Sequence, residues 1–268
     1  MKKNILTGAL PLLAVFGMAL SSCGNSKVIS KVSMSLDSVA IDTTVALVPH
    51  DATSPKAHVK LLLVYAKGGN ARQVNDAILG SDAFKSDFVV DKSLKGLSPR
   101  EAVNKFVNDF IGRYRKDCGP IYAKDRTSKS LNDEFFSNGE VVEHGGDTVC
   151  VLFHKYVYTG GANGLSTTVA MNIDRKTGKI IGKDELLKTI SLDKTRDGIV
   201  KYLAGKLQVK GLEGLHGMGV FTDREVYIPD NFMLGRDSII FLYGAEEIAP
   251  HYLGEVKVAV PVKEIKNR

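Results

Sequence analysis

The chain has 268 residues, of which 44% are hydrophobic and 25% are charged, and its formal net charge is +6. These values are ordinary for a soluble globular protein with room for one large or two small domains. Its 36 lysines and arginines form no block of the kind that neutralises nucleic-acid phosphates, so we expect no nucleic-acid partner.

The first 22 residues have the organisation of an export signal. Lys2 and Lys3 precede a short apolar run, and a Leu-Ser-Ser sequence leads to Cys23. The run is short for a transmembrane helix, and a cysteine at this place resembles a bacterial lipoprotein signal. That resemblance implies cleavage before Cys23 and acylation of Cys23, for example with palmitate. We therefore expect an exported protein that is anchored by lipid to a bacterial membrane, in the periplasm or on the cell surface. An ordinary signal peptide with an incidental cysteine is the alternative.

The next part of the chain is predicted to contain a tether, strands and two helices. Residues 23–57 form a tether followed by a strand or hairpin, with the turn near Asp37, because apolar and polar residues alternate there. Residues 58–147 form a first α+β subdomain, with a strand at residues 58–65 and a short helix at residues 71–79.

The best-specified element is a helix that begins after Ser98. Ser98 can cap it, Pro99 suits its first turn, and Glu101 completes a capping box. Apolar residues then recur on one helical face, and Gly119 with Pro120 predicts the end of the helix.

Residues 148–268 are predicted to be a second α+β domain, in which strands alternate with short helices. Strands are expected there at residues 148–158, 166–173, 179–181, 224–228, 238–243 and 255–262, after a strand at residues 140–143 of the first subdomain, and helices at residues 184–187 and 192–207. Four glycines in residues 211–219 predict an irregular segment. The fold class is therefore α+β, a mostly antiparallel sheet packed by a few helices.

Two cysteines besides Cys23 leave two interpretations open. In an oxidising compartment, Cys118 and Cys150 are candidates for a disulfide. The alternative is that Cys150, which lies in an apolar run, is a reduced thiol in the core.

A glycine-containing loop after the strand at residues 148–158 is the best candidate for a ligand site. Tyr156 and Tyr158 end the strand, and Gly160, Gly161 and Asn163 follow. The glycines allow backbone conformations that expose amide groups to a ligand, and tyrosines stack on sugars or anchor protein interfaces. Equally, the two glycines can serve only to let two backbones cross closely.

The same segment resembles a family of bacterial extracytoplasmic domains. The sequence from Tyr158 to Asn163, with Asn172-Ile-Asp174 and Thr177-Gly-Lys179, is similar to the core of that family, and Glu247-Ile-Ala-Pro250 is similar to its closing pattern. Such domains form the lysozyme-sensing part of RsiV-type anti-sigma factors and accompany the catalytic domain of PdaC-type peptidoglycan deacetylases. The resemblance implies non-catalytic binding or sensing of a cell-wall glycan or of a lysozyme-like protein.

The chain departs from the family at Asn163, Glu246 and His251, and His251 with Tyr252 forms a weaker second candidate patch. Because no metal-ligand spacing or catalytic motif is visible, we expect no cofactor, no metal and no catalytic residue. Two alternatives remain open: a cell-wall hydrolase or deacetylase that uses Glu246, Glu247, His154 and His251, and a structural assembly lipoprotein.

Overall fold

The computed structural model describes residues 34–86, 94–128, 130–143 and 147–267. All of them lie in one compact unit, Val32–Arg268. The predicted export signal and Cys23 lie outside the described residues. Within these ranges, no helix is both long and apolar enough to cross a membrane.

The larger of the two described sheets has six strands, in the spatial order β1 to β6. They are β1 Ser35–Ala46, β2 Lys56–Lys67, β3 Asp133–Glu143, β4 Thr148–Tyr158, β5 Leu165–Asp174 and β6 Ile180–Ile181. Every neighbouring pair is antiparallel except β2 with β3, which is parallel. The predicted turn near Asp37 is wrong, because β1 pairs with β2 in an unbroken register from Ser35 to Ala46.

One face of this sheet, the helix face, is covered by α1 (Ala71–Leu79) and α2 (Pro99–Lys124). The ring of Phe106 on α2 lies 4.8 Å from that of Phe135 on β3, and Phe84 packs 5.5 Å from Phe153 on β4. All four rings are buried. Burial of each one stabilises the fold by roughly 1.5–3 kcal/mol, so this cluster holds the sheet to its helices.

The start of α2 is confirmed, and its predicted end is wrong. The Ser98 hydroxyl accepts the Glu101 amide, and the Glu101 carboxylate accepts the Ser98 amide at 2.9 Å. The helix passes through Pro120 and ends at Lys124. Because Tyr122 is buried against the core, its packing holds the last turn in place despite the proline.

The C-terminal part forms a second hydrophobic cluster around a three-stranded antiparallel sheet. Its elements are α3 Lys183–Leu187, α4 Leu192–Lys206, α5 Gly211–Gly217, β7 Phe232–Leu234, β8 Ser238–Tyr243, β9 Val256–Pro261 and α6 Val262–Ile265. Two predictions are wrong here: residues 211–217 are helical, and residues 224–228 form no strand. A Cβ atom at Gly214 would lie 2.8 Å from the Cβ atom of Val209, so close packing explains why this position is occupied by glycine.

Side chains from the C-terminal part cover the open edge of β5. The Asn231 side chain accepts the Ala170 amide at 2.8 Å and donates to the Thr168 carbonyl at 2.5 Å. The Glu255 carboxylate accepts both the amide and the hydroxyl of Thr168. These bonds replace those of a neighbouring strand. The domain boundary predicted at residue 148 falls between β3 and β4, which pair with each other, and the domain limits stay a prediction.

Cys118 and Cys150 are both free and buried, so the predicted disulfide is not formed. Cys118 lies on α2 and packs with the residues of the helix face. On β4, Val149 and Val151 belong to the same cluster, so Cys150 between them points to the opposite face of the sheet. The alternative interpretation, a buried thiol, therefore describes Cys150.

Candidate functional site

Three connections meet at one end of the six-stranded sheet, which we call the loop end. They are residues 47–55 between β1 and β2, residues 125–132 between α2 and β3, and residues 159–164 between β4 and β5. They meet because β1 and β4 end where β2 and the parallel β3 begin. The predicted glycine loop is thereby placed beside two loops that the sequence analysis did not select.

The loop end contains a cavity of about 560 Å³ between the first two of these loops. Its lining combines the hydroxyl groups of Thr53, Thr127 and Ser128 with the cations Lys56 and Arg126 and the ring of Tyr122. The Arg126 guanidinium lies 4.9 Å from the centre of the Tyr122 ring and 3.7 Å from the Asp51 carboxylate. Two contacts therefore hold this cation at the mouth of the cavity.

Two aspartates fix the conformation of these loops. Asp51 accepts the Thr53 hydroxyl at 2.6 Å and the Thr53 amide at 3.0 Å, and Asp125 accepts the same two groups of Thr127 at 2.6 and 2.9 Å. The threonine hydroxyls, with smaller contributions from the amides, lower the pKa of both carboxyl groups. Both aspartates therefore stay charged at neutral pH, and the loops are shaped without a ligand.

Gly160, a residue of the predicted ligand loop, has a steric role. Its φ is +81°, and a Cβ atom there would lie 1.5 Å from the Ser130 carbonyl oxygen. The Ser130 hydroxyl lies 3.1 Å from that of Ser128, which lines the cavity. Gly161 and Asn163 are exposed beside this contact. Gly160 thus packs its loop against the cavity wall, as the interpretation of two closely crossing backbones predicts.

Tyr156 belongs to a row of rings on the face opposite α2, which we call the aromatic row. Its ring stacks on that of Phe136 at 5.6 Å, and the His58 ring contacts Phe136 edge-on at 4.8 Å. Asp42 lies 2.7 Å from the His58 Nε2 atom. A Cβ atom at Gly164 would lie 2.3 Å from the Tyr156 ring, so that glycine makes room for it. The aromatic row thus crosses β2, β3 and β4. The other predicted tyrosine, Tyr158, lies half-buried at the end of β4.

The second predicted patch lies in the C-terminal part. His251 Nδ1 lies 3.0 Å from the Glu246 carboxylate, and the exposed Tyr252 donates its hydroxyl to the Met218 carbonyl at 3.2 Å. Next to it, residues 219–224 and 246–250 enclose a cleft of about 280 Å³. Phe221 and Glu246, which line it, have φ values of 57° and 63°, a region that costs side-chain-bearing residues free energy.

The catalytic alternative required four acids and bases to converge. The structure gives them different partners: His154 lies 3.3 Å from Glu140, His251 pairs with Glu246, and Glu247, which lines the same cleft as Glu246, accepts the Tyr227 hydroxyl. Burial raises the pKa of Tyr227 to about 12, and its bond to Glu247 adds to this shift. No group of three or more His, Cys, Asp or Glu side chains in the described ranges is placed to hold a metal ion.

Sequence reasoning missed the cavity residues, His58 and Phe136. Lys56 is far in sequence from Tyr122 and Arg126, and only the fold brings it beside them. Phe136 lies beside His58 because β3 pairs in parallel with β2, although α1 and α2 separate these two strands along the chain. Alternation along one strand does not reveal such a pairing.

Comparison with known proteins relates the chain to a family without an assigned function. Residues 186–263 match the family model "Protein of unknown function (DUF3298)". Over 169 residues the chain is 21% identical to the peptidoglycan-N-acetylmuramic acid deacetylase PdaC of Bacillus subtilis strain 168. That alignment covers 62% of this chain and 35% of the relative, so the chain spans about a third of the relative's length.

Two solved structures share the fold. A DUF3298 family member from Bacteroides fragilis NCTC 9343 has a TM-score of 0.74 at 20% identity, covering 89% of this chain and 95% of the other. A DUF3298 family protein from Pseudomonas aeruginosa PAO1 has a TM-score of 0.53 at 12% identity, covering 87% and 95%. The predicted α+β class and the predicted family resemblance are both confirmed, and over residues 186–263 this chain is similar to the DUF3298 family.

Proposed function

We propose that this protein is a lipid-anchored binding module of the bacterial cell envelope, attached through Cys23, that binds a peptidoglycan-related glycan without catalysis. The observation that carries the proposal is the cavity at the loop end, next to the predicted glycine loop, whose lining combines apolar surface with hydroxyl groups and two cations. The printed name of the related deacetylase concerns a peptidoglycan sugar, and this supports the same class of ligand here.

The chemistry of the cavity suits a sugar. Its volume of about 560 Å³ is within the roughly 300–1,000 Å³ that small-ligand sites have. The hydroxyls of Thr53 and Thr127 donate their protons to Asp51 and Asp125, so their oxygens can accept hydrogen bonds from sugar hydroxyls, while the Ser128 hydroxyl can donate or accept. Arg126 and Lys56 add cationic donors for a carboxylate or an acetamido oxygen. The aromatic row begins at His58, two residues along β2 from Lys56, and extends the surface for a longer glycan.

Calorimetry tests this proposal with residues 24–268, which retain the whole compact unit. We expect muropeptides to bind, and we expect Arg126→Ala to weaken binding about tenfold, since it removes charged hydrogen-bond donors. Tyr252→Ala is the matched control, because Tyr252 belongs to the second patch and leaves the loop end intact. Absence of binding at millimolar glycan, or equal loss in both variants, contradicts the proposal.

A lysozyme-like protein is the second candidate ligand. The observation that favours it is Tyr252, whose ring is 71% exposed while its hydroxyl is anchored to Met218. Such a ring can insert into a partner with little loss of entropy. In the same titrations, lysozyme binding that is lost with Tyr252→Ala and retained with Arg126→Ala assigns the protein ligand to the second patch. Mass spectrometry of the protein from its native membrane tests the lipid on Cys23.

A further inference from the structure

Strand β1 forms one edge of the six-stranded sheet and spans Ser35–Ala46. Among the described residues, no strand pairs with its outer side. A free edge of this length presents a row of amide and carbonyl groups that can pair with another strand. The outer side of β1 is therefore a potential binding surface, separate from the loop-end cavity.

Contacts elsewhere in the sheet show which groups of β1 point outward. The amide and carbonyl of Ala66 on β2 bind the Asn75 side chain at 2.7 and 3.0 Å, so they point away from β1. Ala66 lies opposite Leu36, and opposite residues in an antiparallel pair share this orientation. Leu36 and every second residue after it thus direct their amides and carbonyls outward. The Ala46 carbonyl, which accepts Arg115 Nη2 at 3.3 Å, agrees with this assignment.

In the described part of the chain, side chains cover exposed backbone at two other places in this sheet. Asn231 and Glu255 bind the backbone of β5, and Asn75 binds the end of β2 that extends beyond β3. On β1, two contacts of this kind are described: the Asp37 carboxylate accepts the amide of its neighbour Ser38 at 2.7 Å, and Arg115 binds the carbonyl of the last residue. Pairing of Ser38 with another strand therefore requires the Asp37 side chain to turn away from this amide. The sequence of β1 also lacks three of the usual protections of an edge, since it has no proline and no lysine and its register contains no bulge.

The charges of β1 are neutralised from within the subunit. The Asp37 carboxylate pairs with Lys67, and Asp42 lies 2.7 Å from His58 and 3.5 Å from Lys60, all on β2. Hydrogen bonds from these partners lower the pKa of both carboxyl groups. An approaching strand therefore meets no uncompensated charge on this edge.

We propose that β1 pairs with β1 of a second copy of this chain, in an antiparallel arrangement around a two-fold axis at Ala40. The outward groups of residues 36, 38, 40, 42 and 44 then face those of residues 44, 42, 40, 38 and 36 of the second copy. In this register Asp42 lies opposite Ser38 and Asp37 lies opposite Thr43, so each carboxylate meets a hydroxyl group.

Neighbouring registers fit less well. Centring the axis on Ile41 places Asp42 against Ala40 and Asp37 against Val45, so both carboxylates meet apolar side chains. Centring it on Val39 places Asp42 against Leu36 and Asp37 against Ile41. The register centred on Ala40 also aligns Val39 with Ile41 on the helix face. The sequence of β1 thus matches itself best in one register, which favours a second copy over an unrelated strand.

Sedimentation and cross-linking of residues 24–268 test this dimer. We expect dimers at micromolar to millimolar protein, and a dimer dissociation constant raised about tenfold or more by Ala40→Pro, which removes an outward amide from each copy. Ala40→Lys places two cations together at the axis, whereas the matched Thr44→Lys places each cation opposite Leu36. We expect Ala40→Lys to weaken the dimer more than Thr44→Lys does.

Cross-linking keeps the test decisive if a variant fails to fold. Ala40→Cys places two thiols at the axis, and a short bifunctional reagent should join them. Ser35→Cys is the control, because its two thiols would lie about 34 Å apart at about 3.4 Å per residue. A monomer at every concentration, equal cross-linking in both variants, or a dimer unaffected by Ala40→Pro overturns the proposal. Hydrogen-exchange protection of the outward amides of β1 in a monomer assigns the edge to residues of the same chain and also overturns it.

Discussion

Two neighbouring glycines of the predicted ligand loop differ in their surroundings, and the same substitution in each should have opposite results. A Cβ atom at Gly160 would lie 1.5 Å from the backbone oxygen of Ser130, whereas the nearest atom to a Cβ at Gly161 is 4.0 Å away. Gly160 also has a φ of +81°. We predict that Gly160→Ala strongly destabilises the protein and that Gly161→Ala does not.

The magnitude has two parts. A left-handed backbone costs alanine roughly 1–2 kcal/mol relative to glycine. The contact with a backbone oxygen cannot be relieved by turning a side chain, so the backbone at Ser130 must shift and nearby hydrogen bonds worth about 1 kcal/mol each are lost. We expect Gly160→Ala to lower the free energy of unfolding by about 2–4 kcal/mol. Gly161→Ala should change it by less than about 1 kcal/mol, since it mainly restricts the unfolded chain.

Urea unfolding followed by circular dichroism measures both variants under one set of conditions. Because the cavity is adjacent to this loop, glycan affinity should fall with Gly160→Ala and stay unchanged with Gly161→Ala. Equal stability of the two variants would refute the assignment of Gly160 to close backbone packing. A loss of affinity confined to Gly161→Ala would instead make the exposed amide of that residue a ligand contact.

Three further results are expected. Ser98→Ala should lower the free energy of unfolding by about 1 kcal/mol, because it removes the cap of α2, and an unchanged urea midpoint would contradict this. Hydrogen bonds from Thr177 lower the pKa of Asp174 in the folded protein. On acidification the Asp174 carboxylate is therefore protonated at a higher pH in the unfolded chain than in the folded protein. Stability should therefore fall as the pH drops below about 4, and Asp174→Asn should reduce this dependence in unfolding curves at pH 3 and 5. Burial raises the pKa of Cys118 to about 11 and that of Cys150 to about 12. Neither thiol should react with a thiol reagent at pH 8 in the folded protein, and both should react in urea; rapid labelling of the folded protein would show that they are accessible.

Local patterns predicted the elements whose structure depends on local interactions. The helix Ala71–Leu79 and the strands Thr148–Tyr158 and Ser238–Tyr243 have the predicted limits, and the cap at Ser98 is formed as expected. Alternation, helical periodicity and capping chemistry are properties of neighbouring residues, so one sequence contains them.

Elements that depend on tertiary packing were mispredicted. Glycines weaken an isolated helix, yet α5 forms because Leu215 is fully buried and Gly214 packs on Val209. Residues 224–228 end in Val-Tyr-Ile, residue types that favour strands, although they pair with no other strand in the described structure. The candidate site follows the same rule. The glycine loop and Tyr156 were predicted, while the cavity and the aromatic row depend on the parallel pairing of β2 with β3.

That parallel pairing affects the order in which the protein can assemble. Ribosomes synthesise proteins from the N-terminus, so β1 and β2 emerge first and can form their hairpin early. The third strand of the sheet, β3, follows only after α1 and α2. Until then one side of β2 is unpaired. The pairing of β2 with β3 joins distant parts of the sequence, and such contacts slow folding. During synthesis the nascent hairpin consequently exposes one side of β2 until β3 has been made.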